Sequence, residues 1–218
     1  IDRIVVGDSR EKGMVRGSDF LHPILRFSVR FPQGWSIMNG SDQVSAVESE
    51  QGNVAMVLEL SKSSSGSVAQ IARADMTDAG LRETSGASTR INGLEAYLGT
   101  YEGVSGSTKI LLRVAHIRAA QRVYLVAGMT TATEFPRVDG MFAAAIQTFR
   151  ELSAAEADRI QPNRLGFHVV RSGDTWESIA GQVKDGSGVK PATLAIMNGS
   201  DAATPPRVGA RIRVVVGG

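Results

Sequence analysis

From Leu25 onward apolar and polar residues alternate, Leu25, Phe27, Val29 and Phe31 being separated by Arg26, Ser28 and Arg30. That is the period of a strand with one wet face, and Pro32-Gln33-Gly34 ends it as a turn. Gln43 to Ser49 and Val54 to Ser61 flank a Gln51-Gly52-Asn53 turn and predict a hairpin in which Val54, Met56, Leu58 and Leu60 share a face. The polar tract from Ser61 to Ser67 then yields to Val68, Ile71, Ala72 and Met76 at helical spacing, with Gly80 as the stop. Further strands are expected at Glu95 to Glu102, Ser107 to Ile117 and Gln121 to Met129, joined by connectors short enough for antiparallel neighbours. Val123 to Ala127 is continuously apolar, as in a strand buried on both faces, so helices are expected to cover the sheet. The best helical pattern runs from Thr133 to Leu152, with Phe135, Val138, Phe142, Ile146 and Phe149 on one stripe and Pro136 in the first turn.

On either side of this body the pattern changes. Residues 1–23 hold an apolar start, Ile4-Val5-Val6, and a polar, glycine-bearing stretch that reads as a connector. Residues 153–164 are polar and end in Gln161-Pro162-Asn163, which reads as a linker. The division expected is therefore a connector at 1–23, a sandwich at 24–152, a linker at 153–164 and a small domain at 165–218. In the last, a strand at Phe167 to Arg171, a helix from Thr175 to about Val183, a helix from Pro191 to Met197 and a strand at Arg211 to Val216 follow in β-α-α-β order. Asp174 or Thr175 caps the first helix, and Trp176, Ile179, Leu194, Met197 and Ile212 are the expected core. The fold class is α+β.

Composition narrows function more by exclusion than by assignment. Lys and Arg number 24 against 22 Asp and Glu, a net charge of +2 over 218 residues, which is no general grip on nucleic acid. No apolar run approaches the roughly 20 residues of a membrane-spanning helix. With no cysteine, thiol nucleophiles and zinc ribbons are excluded. The chain begins at Ile1 with no leader pattern, so it reads as part of a longer protein. The three histidines, His22, His116 and His168, are too far apart in sequence for a local zinc motif, and no metal or cofactor is expected here. No nucleophile elbow, Walker lysine or dinucleotide glycine fingerprint occurs, so this chain is not expected to be an enzyme.

The run Phe167 to Ala180, containing Ser172-Gly173-Asp174-Thr175-Trp176 and Ser178-Ile179-Ala180, is followed by Leu194 to Gly199 and by Val208-Gly209-Ala210-Arg211-Ile212. This ordered set resembles a LysM domain. The resemblance implies a shallow groove for N-acetylglucosamine polymers such as peptidoglycan, walled by Gly173, Asp174, Thr175 and Trp176 on one side and Met197, Asn198, Gly199 and Ser200 on the other. Lys184 to Lys190 lengthens the turn between the helices, and Ala202 to Pro206 enlarges the second groove loop, relative to the family's pattern.

Two further resemblances lie upstream. Gly7-Asp8-Ser9, Gly13 to Gly17, Phe20-Leu21-His22-Pro23 and Phe31 to Trp35 are similar to the region after the catalytic domain of bacterial HExxH zinc metallopeptidases related to HtpX. That likeness implies an absent peptidase domain carrying the zinc, an extracytoplasmic setting, and protein substrates or the peptidase domain itself as partners. Phe27 to Trp35, Asn92-Gly93-Leu94-Glu95-Ala96 and the closing Phe142 to Phe149 helix resemble a PsbP-like α/β/α sandwich on an antiparallel sheet. Together they imply a non-catalytic region that positions a peptidase on cell wall or protein substrate. The alternatives are a peptidoglycan-binding or wall-hydrolysing protein acting alone, and a purely structural module.

Overall fold

A computed structural model describes residues 8–50, 52–182 and 189–216. Strands β1 (Met14–Arg16), β2 (Asp19–His22) and β3 (Phe27–Arg30) form an antiparallel meander within the stretch read as a connector and the start of the body. Met14 and Phe20 supply its apolar face, and both are buried. β4 (Ser36–Asn39), β5 (Gln43–Val47) and β6 (Ala55–Leu60) follow, and β5 and β6 make the expected hairpin. Leu60 does not share the burial of Val54, Met56 and Leu58, since it stands exposed at the end of its strand.

Helix α1 (Val68–Asp78) starts at Ser67, whose hydroxyl accepts from the Gln70 amide in a capping box. β7 (Arg82–Ile91), β8 (Leu94–Ser105), β9 (Thr108–Ala119) and β10 (Arg122–Thr131) are long antiparallel strands. β7 was illegible because its sequence is mostly polar and its side chains are mostly exposed; as an edge strand it is held by backbone pairing with β8. The seven-stranded sheet has the order β4-β5-β6-β10-β9-β8-β7.

Alternation along β10 sends side chains to both faces of this sheet. Val123 packs with Val68, Ile71 and Ala72 of α1, while Tyr124 and Val126 pack with Val138, Phe142 and Ile146 of helix α2 (Phe135–Gln147). One helix therefore covers each face, as the continuously apolar strand required. α2 ends at Gln147, earlier than its stripe of aromatics suggested, and Phe149 enters the core from the extended segment beyond it. That segment forms β11 (Arg150–Glu151), which pairs with β3.

The stretch read as a linker contains helix α3 (Ala154–Arg159), opened by a Ser153–Glu156 capping box. Leu152, Ala157 and Ile160 bury against Met14. The Arg10 guanidinium donates to the carbonyls of Ala157 and Ile160, tying this helix to the N-terminal segment. The chain then forms β12 (Arg164–Val169), α4 (Trp176–Ala180), α5 (Pro191–Met197) and β13 (Arg211–Val216), the predicted β-α-α-β order. α4 ends at Ala180, short of the expected Val183. The expected apolar start at residues 4–6, Gln51 of the hairpin turn, Val183 and most of the lengthened inter-helix turn lie outside the described residues.

Candidate functional site

β12 and β13 pair antiparallel, with His168 opposite Ile212 and Gly166 opposite Val214. Val170, Ile212 and Val214 pack against Trp176, Ile179, Leu194 and Ala195 of the two short helices. Met197, the last residue of α5, is half-buried and is not part of this cluster, which includes Ala195 and Val214 beyond the residues expected. Such a core is small, so polar tethers carry more of the domain's order than they would in a larger one.

The first expected wall is the loop between β12 and α4. The Asp174 carboxylate accepts from the Arg171 amide at 2.8 Å and lies 2.7 Å from His168 Nε2. Those two bonds, the amide first, hold its pKa below the ordinary aspartate value. Thr175 caps α4: its hydroxyl accepts from the Ser178 amide at 3.1 Å, and its own amide donates to the Ser178 hydroxyl at 3.0 Å. Gly173, in the left-handed region at φ +89°, is exposed and has open space where a Cβ would stand. Trp176 is buried at 3% exposure, so its ring belongs to the core.

The second wall begins where α5 stops. Gly199, at φ +70°, donates to the Ile196 carbonyl, and the Ser200 amide donates to the Ala195 carbonyl, both at 3.0 Å, which is a Schellman ending. Asn198 is a clamp: its Nδ2 donates to the carbonyls of Leu194 and Arg213, each at 2.9 Å, and its Oδ1 accepts from the Arg213 amide at 2.7 Å. Beyond Ser200, Asp201 accepts from the Thr204 amide at 2.8 Å, and that contact lowers its pKa. Trp176 Nε1 donates to the Thr204 carbonyl at 2.7 Å, so the first residue of α4 is bonded to the loop that follows α5.

The predicted residues thus divide by task. Asp174, Thr175, Trp176 and Asn198 spend their polar groups on the domain itself, whereas Gly173, Gly199 and Ser200 leave backbone and a small side chain at the surface of the two loops. Two loops pinned together, with a glycine in each whose Cβ position is empty, allow close approach of a ligand to the main chain, the Gly199 and Ser200 amides themselves being taken up in ending α5. Motif reading missed Thr204 and Asp201, because their contribution is made through a turn whose shape no motif states. It also passed over Ile196, an apolar side chain 71% exposed beside Met197.

Elsewhere, His22 accepts from the Leu25 amide through Nδ1 at 3.2 Å, as a turn residue does. His116 is fully buried in β9, with Nε2 3.2 Å from the Asp75 carboxylate of α1, which also accepts from the Ser61 hydroxyl. Ser61 and His116 thus meet at the same Asp75 oxygen. Among the described residues, no group of three His, Cys, Asp or Glu side chains is placed to hold a metal ion. No helix among them is long and apolar enough to cross a membrane.

Residues 168–215 match the family model of the LysM domain. The C-terminal part of the chain is a LysM domain. A search of the curated proteins finds no match. Among solved structures, the chain is similar to cyanobacterial PsbP (CyanoP) from Synechocystis sp. PCC 6803, at 13% identity and TM-score 0.49, covering 67% of this chain and 98% of that one. It is also similar to LpqN of Mycobacterium tuberculosis, described as involved in cell envelope biogenesis, at 9% identity and TM-score 0.45, covering 63% and 86%. The Ran-binding protein Mog1p of Saccharomyces cerevisiae matches at 11% identity and TM-score 0.45, covering 60% and 92%. Likeness at this level transfers no activity.

Proposed function

We propose that this protein binds peptidoglycan through its LysM domain and does no chemistry of its own. The observation that carries the reading is the 2.7 Å bond from Trp176 Nε1 to the Thr204 carbonyl, which ties the start of α4 to the loop whose opposite end holds Gly199 and Ser200. An N-acetylglucosamine unit lying between the loops would exchange hydrogen bonds with main-chain groups around Gly173, Gly199 and Ser200. Its acetyl methyl would meet an apolar side chain, for which Ile196 and half-buried Met197 are the available surfaces. An extracytoplasmic location follows from that ligand. The body's reading as a PsbP-like sandwich rests on its opening strand, its Asn92-Gly93 turn and its closing helix, and in this proposal it presents the LysM domain and carries no active site of its own.

The test is retention of the purified chain on insoluble peptidoglycan, with chitin as a second polymer and a chain ending at Arg164 as the control. Retention that is lost on truncation, and weakened by Ser200→Trp, which crowds the groove without entering the core, is the expected result. Retention on neither polymer overturns it. Release of soluble muropeptides by the chain would make it a hydrolase and overturn the non-catalytic half.

A further inference from the structure

We infer that Arg171, Arg207, Arg211 and Arg213 form a basic rim beside the two groove loops that takes the carboxylates of peptidoglycan peptide stems, an inference that rests on the glycan reading above. Their exposure, their lack of an acid partner and their grouping at one end of the small domain single them out. Some arginines of the body are matched to acids, Arg30 to Asp19 at 2.7 Å, Arg113 to Asp139 at 2.5 Å, Arg150 to Glu156 at 2.9 Å, and Arg137 to both Glu48 and Glu134 at 2.8 Å, while others there donate to main-chain carbonyls, as Arg26 does to Leu152 and Arg90 to Gly93. The four arginines of the LysM domain are all exposed, and among the described residues none is in a salt bridge. Of the nearby carboxylates, Asp174 is bonded to His168 and the Arg171 amide and also feels the Arg171 charge, and Asp201 is bonded to the Thr204 amide. Glu177, exposed in the first turn of α4, is the one other acid described in the domain.

Topology gathers these charges at one end. Arg211 and Arg213 stand two residues apart on β13, alternating with the buried Ile212 and Val214, so both leave the sheet on the face away from the helices. Beyond the last strand pair, Val169 with Arg211, the Val170 amide donates to Ala210 at 3.0 Å and the Gly209 amide donates to Val170 at 2.8 Å. Those bonds bring Arg171 alongside the turn that the Ala210 amide closes onto the Arg207 carbonyl. Both groove loops leave the hairpin from this same end.

The guanidinium of Arg211 is also held in place. Its Cζ lies 4.0 Å from the centre of the Phe167 ring, a cation–π contact that restrains the group on this face of the hairpin. The polymer proposed for the groove bears carboxylates on its own peptide stems, so a single ligand would satisfy both surfaces. A rim of this kind acts as a polarity selector, favouring glycan that still carries stems over glycan from which they have been cut.

The experiment compares binding of the full chain to intact peptidoglycan and to glycan strands stripped of stems by an amidase, in wild type and in a variant carrying Arg171→Gln, Arg207→Gln, Arg211→Gln and Arg213→Gln. Circular dichroism melts verify that the variant folds. Wild type is expected to prefer intact over stripped glycan by about tenfold at low salt, as two or three exposed charge pairs would give, and to lose the preference in high salt. The variant is expected to bind both alike, at the level of wild type on stripped glycan. Equal binding of wild type to both polymers overturns the rim while leaving the groove intact. Failure of wild type to bind stripped glycan overturns the groove reading instead. A preference that survives amidation of the stem carboxylates but is abolished by inorganic polyphosphate would make the rim a phosphate site and overturn the stem assignment.

Discussion

Trp176 and Thr204 are joined by a hydrogen bond of 2.7 Å from the indole nitrogen to the main-chain carbonyl, across 28 residues of sequence. The ring fills the core of the LysM domain while its one polar atom anchors the loop after α5, so a single side chain links burial to groove shape. Trp176→Phe keeps most of the apolar contact and deletes the donor. The expected outcome is a loss of about 1 kcal/mol in the stability of this domain, together with weaker retention on peptidoglycan. Trp176→Ala, which also empties the core, should cost about 3–5 kcal/mol and unfold a domain this small. Two-dimensional NMR spectra distinguish the cases: the LysM resonances shift in the first variant and collapse in the second, with those of the body unchanged in both.

Asn198→Ala removes three hydrogen bonds at once and leaves the Arg213 amide and the Leu194 and Arg213 carbonyls without their side-chain partner. About 2–3 kcal/mol of destabilisation is expected, read as a lower urea midpoint for the LysM transition. Ser200→Ala touches only a 3.4 Å contact to the Asp201 carbonyl and should leave that midpoint unmoved.

Two glycines of the body predict opposite signs. Gly128 on β10 lies beneath the Phe142 ring, and a Cβ there would overlap ring carbons. Gly128→Ala must push α2 off the sheet, and a loss of about 1–3 kcal/mol is expected. Gly140 sits inside α2 with nothing near the Cβ position, so Gly140→Ala should stabilise by about 0.5–1 kcal/mol. Thermal melts of the two variants check both directions.

Burial pushes the His116 imidazole below its ordinary value of 6.5, an effect the Asp75 carboxylate only partly offsets. Its unfolded form therefore binds a proton at a higher pH than its folded form does, and folded stability is lost as pH falls below about 6.5 toward the folded value. Burial moves His22 in the same direction. The expected slope is up to about 1.4 kcal/mol per pH unit for each histidine, and His116→Gln should remove one share of it. Urea midpoints at a series of pH values between 5 and 7.5 would show whether it does.

The elements that the sequence made legible are those in which one residue pattern has one structural meaning. Alternation along β3, the helical spacing of Val68, Ile71, Ala72 and Met76, and the unbroken apolar run in β10 all report burial, and burial is what drives those elements together. The ordered Gly-Asp-Thr, Asn-Gly and Gly-x-Arg-Ile motifs identified the LysM domain because its caps and helix stops are local: Thr175 needs only Ser178 to cap α4, and Gly199 needs only Ala195 and Ile196 to end α5. Tertiary structure decided the rest. β7 is a strand because β8 offers it a backbone ladder, and β1 and β2 exist because Phe20 reaches a core built from residues far along the chain. The Trp176–Thr204 tether and the gathering of Arg171, Arg207, Arg211 and Arg213 depend on turns that bring distant main-chain atoms within hydrogen-bonding range. A hydrogen bond to a carbonyl carries no side-chain signature at the accepting residue, so composition and periodicity cannot encode it.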